Sequence, residues 1–371
     1  MKFLLLAACA VSIAFQSVLA AEAPAANPPP RFRDAPVRSP EIGPDRKVTF
    51  RLRAPKAAEV SVQGQWKDGR ASMTKGSNDV WTVTMGPIEP GVWEYSFNVD
   101  GLSMIDPGNT WIKPMRSPRT SILHVTGDTP LLWDFQDVPH GAVHRHTYRS
   151  KALGRLRELE VYTPPGYGKG SKRFPTLYLQ HGSGDNQATW VTHGKAHWII
   201  DNLIAQKKAE PMVVVMMDGH AAIGFGPGAG NNTEMFEKDL MQDVMPFIEE
   251  NYRVKKGPEN RAIVGLSMGG GQSLTIGLNH LDQFGWVGGF SSAVPDQATV
   301  AKSISDPGVN KKLKLLWIGC GKDDFLLKRN EDFLGVLQQN NVHYDWHLSE
   351  GGHAWPVWRD YLGIFVPKLF H

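Results

Sequence analysis

The residues best placed to do chemistry are in Gly265-Leu-Ser-Met-Gly269, where Ser267 stands between an apolar run and a glycine cluster. A serine hydroxyl becomes a useful nucleophile only when a base takes its proton, and a carboxylate must hold that base in the right tautomer. Glycine makes up 38 of 371 residues, so about one chain in five of this make-up would carry the pattern by accident. The setting gives it weight. Ala262–Leu266 reads as a short buried strand and Met268–Asn279 as a helix, the frame in which a turn lifts a serine clear of a sheet. Such a turn crowds the serine backbone, and the small residues Gly265 and Gly269 relieve it.

His353, in Ser349-Glu-Gly-Gly-His-Ala-Trp, is the best-placed base, on a glycine-containing loop after the alternating run His343–Leu348. His347, in mid-strand, is the runner-up and reads as structural. The acid is expected between serine and histidine in chain order. Asp323 and Asp324 both follow the apolar run Leu313–Ile318, and Asp296 is a weaker third candidate. Neighbouring side chains diverge, so one aspartate at most faces His353, and spacing leaves the choice open. An oxyanion hole would take one donor from the N–H of Met268. A second would come from Ser183, in Leu179-Gln-His-Gly-Ser-Gly, with His181 shaping that loop. No metal or organic cofactor is implied.

Positioning these groups calls for two regions of different texture. From Lys47 to about Val125 the pattern has period two: Val48, Phe50 and Leu52, then Trp81, Val83 and Met85, then Trp93, Tyr95, Phe97 and Val99 before the turn Asp100-Gly101. Residues 45–126 are therefore expected to form a small immunoglobulin-like β-sandwich. Residues 147–371 alternate apolar strands with helices. Leu156–Tyr162, Thr176–Gln180, Met212–Met217 and Trp286–Phe290 read as further strands. Glu234–Tyr252 reads as a helix, with Phe236, Leu240, Val244 and Ile248 on one face, and Asn330–Asn341 as another. Uninterrupted apolar strands between amphipathic helices predict an α/β fold of the α/β-hydrolase kind, with a mainly parallel central sheet. Residues 21–44, rich in alanine and proline, and 127–146 are expected to be linkers.

Lys2 followed by the apolar run Phe3–Phe15, with small residues up to Ala20, reads as a signal peptide over residues 1–20 and implies a secreted or periplasmic protein. Its removal would take Cys9 and leave Cys320 without a disulfide partner; Cys320 reads as a small buried hydrophobe. The formal charge of +3 points away from nucleic acid and, after signal cleavage, from a membrane surface.

Tyr162-Thr-Pro-Pro-Gly-Tyr, Tyr178-Leu-Gln-His-Gly-Ser-Gly, Gly265-Leu-Ser-Met-Gly-Gly and Gly351-Gly-His-Ala-Trp resemble the motifs of carbohydrate esterase family 1. That family includes feruloyl and acetylxylan esterases and is related to esterase D and the enterochelin esterases. In this family the acid follows a strand in a Gly-x-x-Asp pattern; matched to Gly321-Lys-Asp-Asp, the resemblance implies Asp324. The front region, through Pro90-Gly-Val-Trp-Glu-Tyr and Val99-Asp-Gly, is similar to carbohydrate-binding module family 48. Together they imply a feruloyl esterase acting on feruloylated or acetylated plant polysaccharide. The alternatives are an acetylxylan esterase, a siderophore (enterochelin-type) esterase, and a carbohydrate-binding protein with an inactive hydrolase domain. Trp190, Trp355 and Trp358 are candidates for an aromatic acyl pocket, and Trp66 and Trp111 for a glycan platform. Substrate choice is expected to lie in loops such as Asp218–Thr233.

Overall fold

The computed structural model describes residues 37–224 and 231–371. The signal reading, most of the first linker and the centre of the Asp218–Thr233 loop lie outside the described residues. The front part holds two sheets. One has the order β1-β2-β6-β5, formed by β1 (Glu41–Ile42), β2 (Val48–Arg53), β5 (Thr74–Lys75) and β6 (Val80–Met85). The other has the order β4-β3-β7-β8, from β3 (Val60–Gly64), β4 (Arg70–Ser72), β7 (Gly91–Val99) and β8 (Leu102–Met104), with β9 (Ser121–Val125) also on β7. Their inward residues, among them Val48, Phe50, Leu52, Val62, Tyr95 and Phe97, make one core. Two sequence expectations are corrected here. Glu41–Ile42, assigned to a linker by composition, pairs with β2, and Ser39 Oγ donates to the buried Asp106 at 2.6 Å. Trp66 is no platform: it is buried in this core and stacked on Phe50 at 5.8 Å.

The rear part is built on an eight-stranded sheet of order β10-β11-β13-β12-β14-β15-β16-β17. Its strands are β10 (Ala142–Ser150), β11 (Arg155–Thr163), β12 (Thr176–Gln180), β13 (Val213–Met217), β14 (Arg261–Leu266), β15 (Trp286–Phe290), β16 (Leu315–Gly321) and β17 (Asp345–Ser349). The pairs β10/β11 and β11/β13 are antiparallel, and every pair from β13 to β17 is parallel. The strand β10 begins inside the stretch expected to be the second linker. Its side chains are mostly exposed because it is the sheet edge, so no apolar alternation marks it.

The helices are α1 (Thr189–Thr192), α2 (Ala196–Ala205), α3 (Asn232–Asp239), α4 (Met245–Asn251), α5 (Met268–Asn279), α6 (Gln297–Ile304), α7 (Val309–Lys312), α8 (Leu327–Gln339) and α9 (Trp355–Phe365). The single helix expected over Glu234–Tyr252 is α3 and α4 joined by a π-turn at Leu240–Val244. Pro246, in the first turn of α4, has no N–H to give, and a wider turn ahead of it tolerates the missing bond. Alternate strand residues serve opposite faces. Val213, Val215 and Met217 pack with Phe236, Leu240 and Ile248 on one side. Val214 and Met216 pack with Ile199, Trp355 and Phe365 on the other. Two covered faces are why these strands read as continuous apolar runs.

Trp66→Ala is expected to destabilise the chain by about 3–5 kcal/mol in denaturant unfolding; an unchanged midpoint would return Trp66 to the surface. Burial, the largest influence in each case, also lowers five histidines: His193 and His197 to about 3, His220 to about 4, and His124 and His146. One is raised, His280, by its hydrogen bond to Glu237. A depressed native value means that the unfolded chain binds more protons just below the ordinary histidine range, so stability is lost as pH falls from about 6.5. For His193 the loss reaches about 2 kcal/mol by pH 5. The melting temperature is therefore expected to drop between pH 7 and pH 5, before carboxylates titrate; a flat profile would contradict the neutral burial.

Candidate active site

The strands deliver their chemistry at one edge. Chain order runs β12, β13, β14, yet β13 and β14 flank β12, so direction reverses there, and the crevice outside such carboxyl ends is where open sheets bind ligands. Ser267 follows β14 with φ 52° and ψ −115°, a backbone state that non-glycine residues hold only when their surroundings enforce it. Contacts on both sides do so. A Cβ on Gly265 would lie 2.5 Å from the Gly269 carbonyl oxygen, and one on Gly269 would lie 2.3 Å from that of His181. The Ser267 N–H donates to the Phe290 carbonyl at 2.9 Å, and the Ala293 N–H donates to the Ser267 carbonyl at 2.9 Å.

The hydroxyl so presented lies 3.0 Å from His353 Nε2, on the loop after β17. Nδ1 of the same ring lies 2.9 Å and 3.1 Å from the two carboxylate oxygens of Asp324, on the turn after β16. Asp323 is exposed and points elsewhere. Asp296 precedes α6 on the cleft wall, and His347 stacks on Trp317 within the sheet, so neither reaches the serine. Burial alone would raise the Asp324 carboxyl. Hydrogen bonds from His353 and the Leu326 amide outweigh it and hold the group below the ordinary value. It is thus ionised beside the imidazole. The His353 ring is bracketed by Phe325, at 4.5 Å, and by the edge-on Trp358, at 4.9 Å.

Ser183 and Met268 line the same cleft as Ser267, and among the described residues neither N–H has an acceptor. Both ring nitrogens of His181 are used. Nε2 accepts from the Gly219 N–H at 2.8 Å, so Nδ1 carries the proton and donates to the Gly182 carbonyl at 2.7 Å. In a trans peptide the carbonyl and the following N–H point opposite ways, so pinning the Gly182 oxygen sets the direction of the Ser183 N–H.

The cleft is about 740 Å³, with Val294, Pro295, Phe325 and Leu326 on its apolar side and Glu234, Glu237 and Asp296 on its polar side. Arginine and lysine do not contribute to the described lining. The tryptophans expected as an acyl pocket lie elsewhere. Trp190 and Trp355 are buried against each other at 4.9 Å, where α1 and α9 pack on the sheet, and Trp190 Nε1 donates to the Gln180 carbonyl. Trp358 touches His353 but does not line the cleft. Phe325 was missed in the sequence, although its place beside Asp324 was a usable signal. Trp111 is exposed, with the Lys195 ammonium 4.4 Å from its ring centre. Cys320 is free and buried in β16. Among the described residues no cluster of side chains suits a metal ion, and no helix is long and apolar enough to cross a membrane.

Residues 150–365 match the family model "Putative esterase". An endo-1,4-beta-xylanase/feruloyl esterase of Xylanibacter ruminicola is 33% identical over 89% of this chain and 46% of its own length. The chain therefore spans about half of that relative. A CE1 ferulic acid esterase of Anaeromyces mucronatus shares the fold, with TM-score 0.58 at 24% identity over 64% of this chain and 93% of that one. The enterobactin esterase of Shigella flexneri does so with TM-score 0.63 at 18% identity, over 87% and 92%.

Asp324→Asn should leave the imidazole in the wrong tautomer and cost on the order of 10⁴ in turnover of an activated ester, whereas Asp323→Asn should stay near wild type. Equal losses in the two variants would remove Asp324 from this role.

Proposed function

The chain belongs to this esterase family, and from that membership we propose that it is a serine carboxylic-ester hydrolase of the feruloyl esterase kind, acting on feruloylated plant polysaccharide. The observation that carries the proposal is the run of contacts from Ser267 Oγ to His353 Nε2 and from Nδ1 to Asp324. Ser267 attacks the ester carbonyl as His353 takes its proton. The Met268 and Ser183 amides receive the charge that builds on the carbonyl oxygen. The imidazolium, stabilised by Asp324, hands the proton to the departing sugar hydroxyl, leaving an acyl-serine. Water, deprotonated by the same histidine, then releases the acid.

The acyl preference draws support from the cleft, which is larger than an acetyl group requires and offers an apolar wall for a ring. Its acidic side chains oppose anionic catecholate substrates, which disfavours the siderophore reading. The intact serine–histidine–aspartate contacts disfavour an inactive hydrolase domain. The relative that combines xylanase and feruloyl esterase in its name supports a xylan-derived substrate. We read the front sheets as an immunoglobulin-like domain similar to carbohydrate-binding module family 48, with Trp111 as the platform candidate that stays exposed. The signal reading makes the protein an exported one.

Ferulate release from methyl ferulate and arabinoxylan, compared with acetate release from acetylated xylan, tests the assignment. Ferulate should be favoured, and Ser267→Ala should lose at least about 10³-fold in kcat. Faster acetate release would overturn the acyl assignment, and turnover by Ser267→Ala would overturn the nucleophile.

A further inference from the structure

Lys113 belongs to the front part but is buried, at 6% exposure. A buried ammonium persists only where anions answer it. Two do: Glu94 Oε1 on β7, in the same part, and Asp185 Oδ1, on the loop after β12, each at 3.1 Å. The cation therefore joins two buried carboxylates, one from each half of the chain. Thr120 Oγ1 donates to the other Glu94 oxygen at 2.8 Å. His193 Nε2 lies 3.4 Å from Glu94 Oε1, and the Trp355 ring centre lies 5.7 Å from the ammonium. A second buried cation, Arg359 on α9, donates to the Val92 carbonyl at 2.9 Å and to that of His193 at 3.2 Å. Burial lowers His193 to about 3, so it is neutral, and two cations balance two carboxylates.

This cluster sits against the turn that carries Ser183. The front segment runs beside that turn as a short antiparallel bridge, Met115 opposite Asp185. The Arg116 N–H donates to the Gly184 carbonyl at 2.9 Å, and Thr189 Oγ1 donates to the Pro114 carbonyl at 2.6 Å. Within the turn, the Asp185 N–H reaches the Gly182 carbonyl at 3.3 Å, the same oxygen that His181 holds. Asp185 is thus fixed by its side chain to the front part and by its amide to the peptide that aims the Ser183 N–H. Those donors must be in place before charge develops, because a hole that reorganises during the reaction loses its advantage.

We propose that Lys113 is a positioning residue for the oxyanion hole: by clamping Asp185 to Glu94 it holds the Ser183 turn in register, which makes the front domain part of the catalytic apparatus. The inference rests on the oxyanion role proposed for Ser183. In the full-length chain, Lys113→Met keeps the length of the stem and removes the charge. A cooperative melt checks folding, and kcat and KM are measured on methyl ferulate. Inhibition is compared between a boronic acid, whose serine adduct places an oxygen in the hole, and free ferulate, which does not need it.

The expected result is a 10–100-fold lower kcat with KM within about threefold and the pH midpoint of kcat unmoved. Boronate inhibition should weaken by a similar factor while ferulate inhibition stays as it was, and Lys113→Arg should recover part of the loss. A folded Lys113→Met with kcat within twofold of wild type, or one that loses ferulate and boronate affinity equally, overturns the inference. If Lys113→Met does not fold, Thr189→Val, which removes only the hydroxyl bond to the front segment, carries the same test with an expected 3–10-fold drop in kcat. Activity lost in Ser267→Ala but kept in both clamp variants would overturn the clamp and leave the triad standing. Activity kept in Ser267→Ala would overturn the triad itself.

Discussion

The backbone of Ser267, held at φ 52° where β14 turns into α5, is the constraint around which the rest of the molecule is arranged. A serine does not rest in that conformation unless its neighbours leave no alternative, and here they are the main chains of β12, β15 and the first turn of α5. Each contact has a reason in the sequence: glycine at 265 and 269 so that backbones can meet, and apolar residues in β14 so that the strand is gripped from both faces. The same pressure that strains the turn lifts the hydroxyl into the crevice. Stability elsewhere in the sheet is what sustains a locally unfavourable site.

Much of this is legible in the sequence alone. Apolar runs such as Val213–Met217 announce strands buried on both faces, and the order of serine, acid and histidine follows from loops that close successive strands. Depth was the main thing hidden. A tryptophan in a turn-rich stretch looks alike whether it caps a core, as Trp66 does, or stands in solvent, as Trp111 does. Trp190 and Trp355 were misread on related grounds: α1 is a single turn, too short to show a periodicity, and the spacing of Trp355, Trp358, Tyr361, Leu362 and Phe365, which lays one face of α9 on the sheet, was a signal left unused. Edge strand β10 was hidden by its own exposure. The choice between Asp323 and Asp324 depended on which side chain turns inward after Gly321, and spacing carries no information about that.

Partnerships across long sequence distances were equally invisible. Lys113, Arg359, Glu94 and Asp185 are unremarkable as single letters, and only the juxtaposition of two halves makes them a neutral buried unit. Charges buried in this way favour a specific arrangement more than they favour stability, since apolar packing of similar volume would often do as well energetically. At this junction specificity of alignment has an obvious use, because the loop being aligned borders the nucleophile.

The reach of Arg359 has a further consequence, for the order in which the molecule can be completed. Its guanidinium closes on the Val92 carbonyl across 267 positions of the chain, and α9, which bears it, starts just after His353. During synthesis from the N-terminus, the front sheets and the strand carrying Ser267 emerge while the helix that locks them together is still missing. The histidine that would awaken the serine arrives with that same later segment. A nascent chain therefore passes through a stage in which the nucleophile exists without its base, and reactivity waits until α9 and its preceding loop have packed.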